Sequence, residues 1–195
     1  MKHIIIEGLD RCGKSSLIEG LCKHFKFDNV TVRHFSKPPK GEALEWQMCA
    51  FEQEGELLGH IKDNDFYQHK YYENILIWNR SHIGEYVWGP LYRHVSKTAV
   101  RKALYEYEIA YLDDDVNLKN TYLIYLYADA EFLNNLEDGN SFSNTIEQKQ
   151  RELFEFEEAV EFSIVPNKLR IKVCDEDLKF FPKELILNNV IEFVK

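Results

Sequence analysis

Residues 8–16 read GLDRCGKSS, a stretch that leaves the chain around it little choice of fold. Gly8, Gly13, Lys14 and Ser15 fit G-x-x-x-x-G-K-[ST]. In that pattern successive backbone N–H groups turn inward around an anion, the lysine reaches its outer oxygens and the hydroxyl ligates Mg²⁺. The flanks agree with the pattern. KHIII (2–6) is a short β-branched run suited to a buried strand, and KSSLIEGLCKHF (14–25) sets Leu17, Ile18, Leu21, Cys22 and Phe25 at helical spacing. A strand, a glycine loop and a helix N-terminus in that order aim the helix dipole and its free N–H groups at a bound phosphate. Lys14 is expected to face solvent from this loop, and Cys12 to be a small buried filler rather than a reactive thiol.

Strand and helix alternate through the rest of the chain. NVTVRHF (29–35), ENILIWN (73–79), KNTYLIYLYA (119–128) and LRIKVC (169–174) read as strands, and helices are expected near 41–60, 97–112, 145–163 and 182–194. Strands separated by helices imply a five-stranded parallel sheet covered on both faces, with ligands at the carboxyl ends of the strands. At 195 residues, with no linker-like stretch, the chain is expected to form one α/β domain over 1–195.

Composition narrows the class of partner. A net charge of −9 disfavours a nucleic-acid-binding surface, which needs a basic face, whereas a small phosphate ligand needs only a local positive pocket. No apolar run approaches the ~20 residues that span a bilayer, and no signal-peptide pattern opens the chain. Cys12, Cys22, Cys49 and Cys174 form no C-x-x-C pair, which suits reduced thiols in a cytoplasm.

The chemically unusual residues follow the strands. FSKPPKG (35–41) sets Lys37 and Lys40 in a proline-stiffened turn, either as solvated loop charges or as phosphate ligands. NRSHIGEYVWGPLYR (79–93) brings Arg80, Arg93, Glu85 and large aromatics together, with Arg80 one residue beyond a buried strand and so placed for a ligand. His82 reads as a cap or a local hydrogen-bonding group rather than a catalyst.

Three segments, in order, resemble the thymidylate kinase family of nucleoside monophosphate kinases, particularly the compact forms encoded by DNA viruses of bacteria. IIIEGLDRCGKSS is similar to its opening strand and phosphate loop, NRSHIGEYVWG to its D-R-[YS] segment, and EDGNSFSNTIEQKQRELF (137–154) occupies the place of its lid, near 136–147. The resemblance implies a three-layer P-loop kinase fold, ATP and Mg²⁺ as cofactors, and a deoxynucleoside monophosphate as substrate. It also implies a location in the cytoplasm, that of the host if the chain is viral, and dimers formed through helices. By the same resemblance Gly8, Arg11, Cys12, Gly13, Lys14, Ser15 and Ser16 hold ATP, with Ser15 on the metal. Asp10 holds the acceptor's 3′-hydroxyl, Arg11 contacts the exchanged phosphates, and Arg80 and Lys37 clamp the acceptor phosphate. Trp88 aligns with an aromatic that crowds the 2′ position, and a core role for it stays open.

Two departures stand out. Asn79 replaces the family's D-R aspartate, keeping a carbonyl but losing the charge, and Glu137 to Ile146 contains no Lys or Arg. Family members carry the catalytic arginine either in the lid or in the phosphate loop, and this chain matches the second arrangement. Lys14, Arg11, Arg80 and Asn79 are therefore the expected catalytic set, acting on a pyrimidine deoxynucleoside monophosphate, dTMP before dUMP. The alternatives are a deoxynucleoside kinase, which would need a strong base after the second strand where SKPP stands, or a nucleotide-binding protein with reduced turnover.

Overall fold

The computed structural model describes residues 2–35, 44–46, 48–53, 75–112 and 119–195. Five strands form one all-parallel sheet: β1 Lys2–Glu7, β2 Val30–His34, β3 Ile75–Asn79, β4 Thr121–Tyr127 and β5 Asn167–Lys172, in the spatial order β2-β3-β1-β4-β5. Ile4, Ile5 and Ile6 of β1 are all fully buried. Successive strand residues point to opposite faces, so both faces of the sheet are covered.

The chain leaves β1 for the edge strand β2, returns through β3, and crosses β1 to reach β4. That reversal opens a crevice at the carboxyl end of β1, where ligands bind in open α/β sheets.

Around the sheet lie α1 Lys14–Phe25, α2 His82–Tyr92, α3 Lys97–Leu112, α4 Ala130–Asn135, α5 Ile146–Phe162 and α6 Lys183–Phe193. Helix α1 packs on α6, while α2 packs on α3 and α5. Residues 44–46 and 48–53 are helical, in keeping with part of the helix expected near 41–60; the rest of that span, Lys37 and Lys40 lie outside the described residues.

Two helices have no counterpart in the sequence reading. In α2 every residue from His82 to Gly89 is buried, so no polar face sets up an amphipathic period, and Pro90 sits inside the helix. The other, α4, has six residues, too few to show a period. Strand β5 begins two residues before the expected Leu169, and Cys174 lies beyond it in an isolated antiparallel bridge to Phe180.

Candidate active site

Loop 8–13 is shaped by its glycines. Gly8 has φ +140°, and a Cβ there would lie 2.1 Å from the Leu126 carbonyl oxygen, so only glycine lets the end of β1 press against β4. Gly13, at φ +82°, precedes α1 without a side-chain cap, and no acidic residue occupies the helix's first turn. The first N–H groups of α1 are therefore left for an anion.

Lys14 is not the solvent-facing lysine expected from the sequence. It is 7% exposed, and its Nζ donates to the carbonyls of Gly8 and Leu9 at 2.7 Å each. Burial pushes its pKa down, and the two carbonyls hold the ammonium inside the loop. Cys12 is fully buried, and burial pushes its thiol up to about 12, the behaviour of a packing residue.

One cavity of about 590 Å³ gathers most of the expected site. Asp10, Arg11, Gly13, Lys14, Ser15 and Ser16 line it from the loop and α1, Asn79 and Arg80 from the end of β3. His34 and Phe35 line it from the end of β2, and Leu136 and Phe180 line it as well.

Arg80 is positioned with care. Its backbone is left-handed at φ +67°, its N–H donates to Ile6 O at 3.0 Å, and its guanidinium pairs with Asp10 and lies 5.3 Å from the centre of the Trp88 ring. Trp88 itself is buried against Phe156 and Phe142 and is not among the cavity-lining residues; it serves as the apolar floor under Arg80.

Beneath Arg80, Ser81 caps α2 by accepting from Ile83 N at 3.1 Å, and its hydroxyl donates to Glu7 Oε1 at 2.7 Å. Glu7 also accepts from Gly84 N at 3.2 Å, while its Oε2 has no partner among the described residues. Burial pushes the Glu7 carboxyl up. His82, expected to cap or bond locally, instead bonds Glu108, 26 residues away, at 2.7 Å in the core, because Ser81 already fills the capping role.

Beside the loop lies the turn joining α4 to α5. Glu137 Oε1 accepts from the N–H groups of Asp138 (3.1 Å) and Gly139 (3.0 Å), and buried Lys149 donates to Glu137 Oε2 at 2.5 Å and to Ser143 O at 2.7 Å. Asp138 forms an ion pair with Arg11. Glu137 to Ile146 carries no cation of its own; the one that organises it, Lys149, stands three residues past Ile146, on α5. Glu7, His34, Asp138 and Lys149 were missed. A lone carboxylate closing an otherwise apolar strand was the available signal for Glu7.

No protein-family model and no curated protein matches this sequence. Solved structures do match. The YorR protein of Bacillus subtilis, solved in complex with phosphorylated GDP, has a TM-score of 0.61 at 16% identity over 98% of this chain and 95% of its own. Thymidylate kinase of Ehrlichia chaffeensis has 0.59 at 12% identity, covering 100% and 98% respectively. Thymidylate kinase of Candida albicans has 0.58 at 14% identity, covering 99% and 90%. The chain has the fold of the P-loop kinases.

Proposed function

We propose that this protein transfers the γ-phosphate of ATP to a pyrimidine deoxynucleoside monophosphate, with dTMP the first acceptor to test and dUMP the second. The observation that carries the reading is one cavity lined by three cations: Arg11 and Lys14 of the anion loop and Arg80 at the end of β3. A nucleoside acceptor needs a base to activate its hydroxyl, whereas a monophosphate needs a guanidinium to hold it, and Arg80 is that guanidinium.

Lys14 leaves the Gly8 and Leu9 carbonyls for the donor's phosphates, the N–H groups of α1 hold the same oxygens, and Arg11 neutralises charge on the transferring group. Asp10, paired with Arg80, holds both that side chain and the acceptor's sugar hydroxyl. The segment near 136–147 acts as a lid.

Mg²⁺ suits the residues present. Among the described residues no cluster of three or more His, Cys, Asp or Glu could hold a metal ion. Ser15 lines the cavity beside Lys14, which fits an ion that keeps its waters, arrives on the nucleotide and takes one or two protein ligands. When bound it neutralises phosphate charge.

A second reading, nucleotide binding with slow turnover, is favoured by Asn79, whose amide bonds His34 where the family places a carboxylate. Measuring ADP formation across a panel of nucleosides and monophosphates separates the two. Turnover with dTMP or dUMP supports the first, turnover with nucleosides alone overturns it, and none at all leaves binding.

A further inference from the structure

Arg11 and Asp138 meet across the loop and the lid turn, and nothing in the reaction described above requires the carboxylate. Asp138 is held firmly. Its Oδ1 accepts from Asn140 N at 3.1 Å, the next residue, Gly139, is left-handed at φ +81°, and the whole turn hangs on Glu137, itself tied down by Lys149, which is 3% exposed. Lys149 holds the Glu137 carboxyl at about 2, and Arg11 followed by Asn140 holds that of Asp138 at about 2, so both are fully ionised at neutral pH.

On the other side, Arg11 is restrained at its backbone, and at its head by Asp138. It has φ +71°, a conformation that residues with a Cβ adopt only when the surroundings impose it. Its ion-pair partner among the described residues is Asp138, through Nη2, and its buried Nε has no partner among them. A guanidinium carries five N–H donors in a rigid fork, so a carboxylate paired with Nη2 restricts the rotation of the group while leaving other donors for phosphate oxygens.

The geometry points to Asp138 as a positioning residue that orients the Arg11 guanidinium for phosphoryl transfer. This rests on the phosphoryl-transfer reading and adds to it a reason for the acidic lid. A lid without lysine or arginine contributes by holding the loop's arginine rather than by supplying its own. An arginine free to rotate would lose alignment with the equatorial oxygens, and misplacement of about 1 Å costs up to about 10²-fold in rate.

The test is steady-state kinetics with ATP and dTMP on wild type, Asp138→Ala, Asp138→Asn, Arg11→Ala and the Arg11→Ala/Asp138→Ala double variant, with the Kd for inorganic tripolyphosphate measured alongside. Asp138 has a half-exposed side chain, so its variants should melt as wild type does. Expected are a fall in kcat of about tenfold or more for Asp138→Ala, KM for ATP and Kd for tripolyphosphate within about threefold, and an intermediate kcat for Asp138→Asn. The double variant should be no slower than Arg11→Ala alone, since the carboxylate acts only through that arginine. Unchanged kcat in Asp138→Ala overturns the role. So does tripolyphosphate binding that tightens about tenfold, which would make Asp138 a competitor of phosphate. A wild-type protein inert toward the whole acceptor panel overturns the functional reading and this role with it.

Discussion

Asn79 and His34 end neighbouring parallel strands at the same register, and the Asn79 amide donates from Nδ2 to His34 Nδ1 at 2.8 Å. Asn79 Oδ1 is left buried without a partner among the described residues. The amide is thus committed to a neighbouring strand, and only its carbonyl can serve a metal-bound water. Asn79→Asp restores a carboxylate at the cavity wall and should lower the Mg²⁺ concentration for half-maximal activity. An unchanged Mg²⁺ titration would show that position 79 is not near the ion or its water.

Lys14→Ala should abolish transfer, and its structural cost differs from that of a surface lysine. The ammonium holds two loop carbonyls. Losing charge-assisted bonds of this kind costs about 1.5–3 kcal/mol, partly recovered as water reaches the carbonyls and a buried charge is removed. A melting temperature a few degrees lower, with cooperative unfolding kept, is the expected outcome. Retained phosphoryl transfer would exclude Lys14 from the donor site.

Gly84 shows how α2 supports the site. A Cβ there would lie 2.5 Å from the Trp88 ring, which forms the floor under Arg80. Gly84→Ala gains about 1 kcal/mol of helix propensity but overpacks the core at about 1–3 kcal/mol. It should therefore lower stability slightly while raising KM for the monophosphate more than KM for ATP. Equal changes in both constants would disconnect Trp88 from the acceptor side.

Much of the fold was legible because local chemistry and global topology coincide at the loop: Gly8, Gly13, Lys14 and Ser15 fit one loop pattern between a strand and a helix, and the apolar run of β1 forms the central strand of the sheet. Helix α2 was hidden for the opposite reason. Being buried all round, it has no polar face to mark its period, and its proline and two glycines read as turn residues. The pairs Arg11 with Asp138, Arg80 with Asp10 and Asn79 with His34 join segments 127, 70 and 45 residues apart, and no spacing rule within one element reaches that far. Lys149 sits in α5, beyond the cation-free stretch Glu137–Ile146 that it anchors, so that stretch alone carries no sign of it.

The turn between α4 and α5 should loosen in acid. The Glu137 and Asp138 carboxyls, ordinarily near 4.5 and 3.8, are each held down to about 2 in the fold, chiefly by Lys149 and Arg11 respectively. A carboxyl whose pKa is depressed by folding stabilises the native state fully above its unfolded value and loses that contribution as pH falls through the folded one. The window therefore runs from about 4.5 down to about 2. Phe142, in the same segment, lies 6.4 Å from Trp88, so tryptophan fluorescence should report the change. Glu137→Gln should show the loosened signal already at neutral pH, and a wild-type signal in that variant would mean that Lys149 does not hold the turn through Glu137.

Arg11 carries the strongest kinetic expectation. Glu137 to Ile146 contains no basic residue, and Lys149 is engaged with Glu137 and Ser143, so in the proposed reaction the loop's Arg11 is the first candidate for the cation facing the transferring group. Arginines that neutralise charge in the transition state contribute on the order of 10³ to 10⁵ in rate. An interaction made chiefly in the transition state lowers kcat more than it weakens ground-state binding. Arg11→Ala should thus lower kcat by roughly 10² or more while the Kd for ATP changes only a few-fold. Arg11→Lys should recover little, because an ammonium can keep the attraction to Asp138 but cannot offer a planar fork to two oxygens at once. If Arg11→Ala keeps a near-normal kcat, another arginine at the cavity, Arg80 first, does this work. If instead ATP binding falls by as large a factor as kcat, Arg11 belongs to donor binding, and the transition-state charge is met elsewhere.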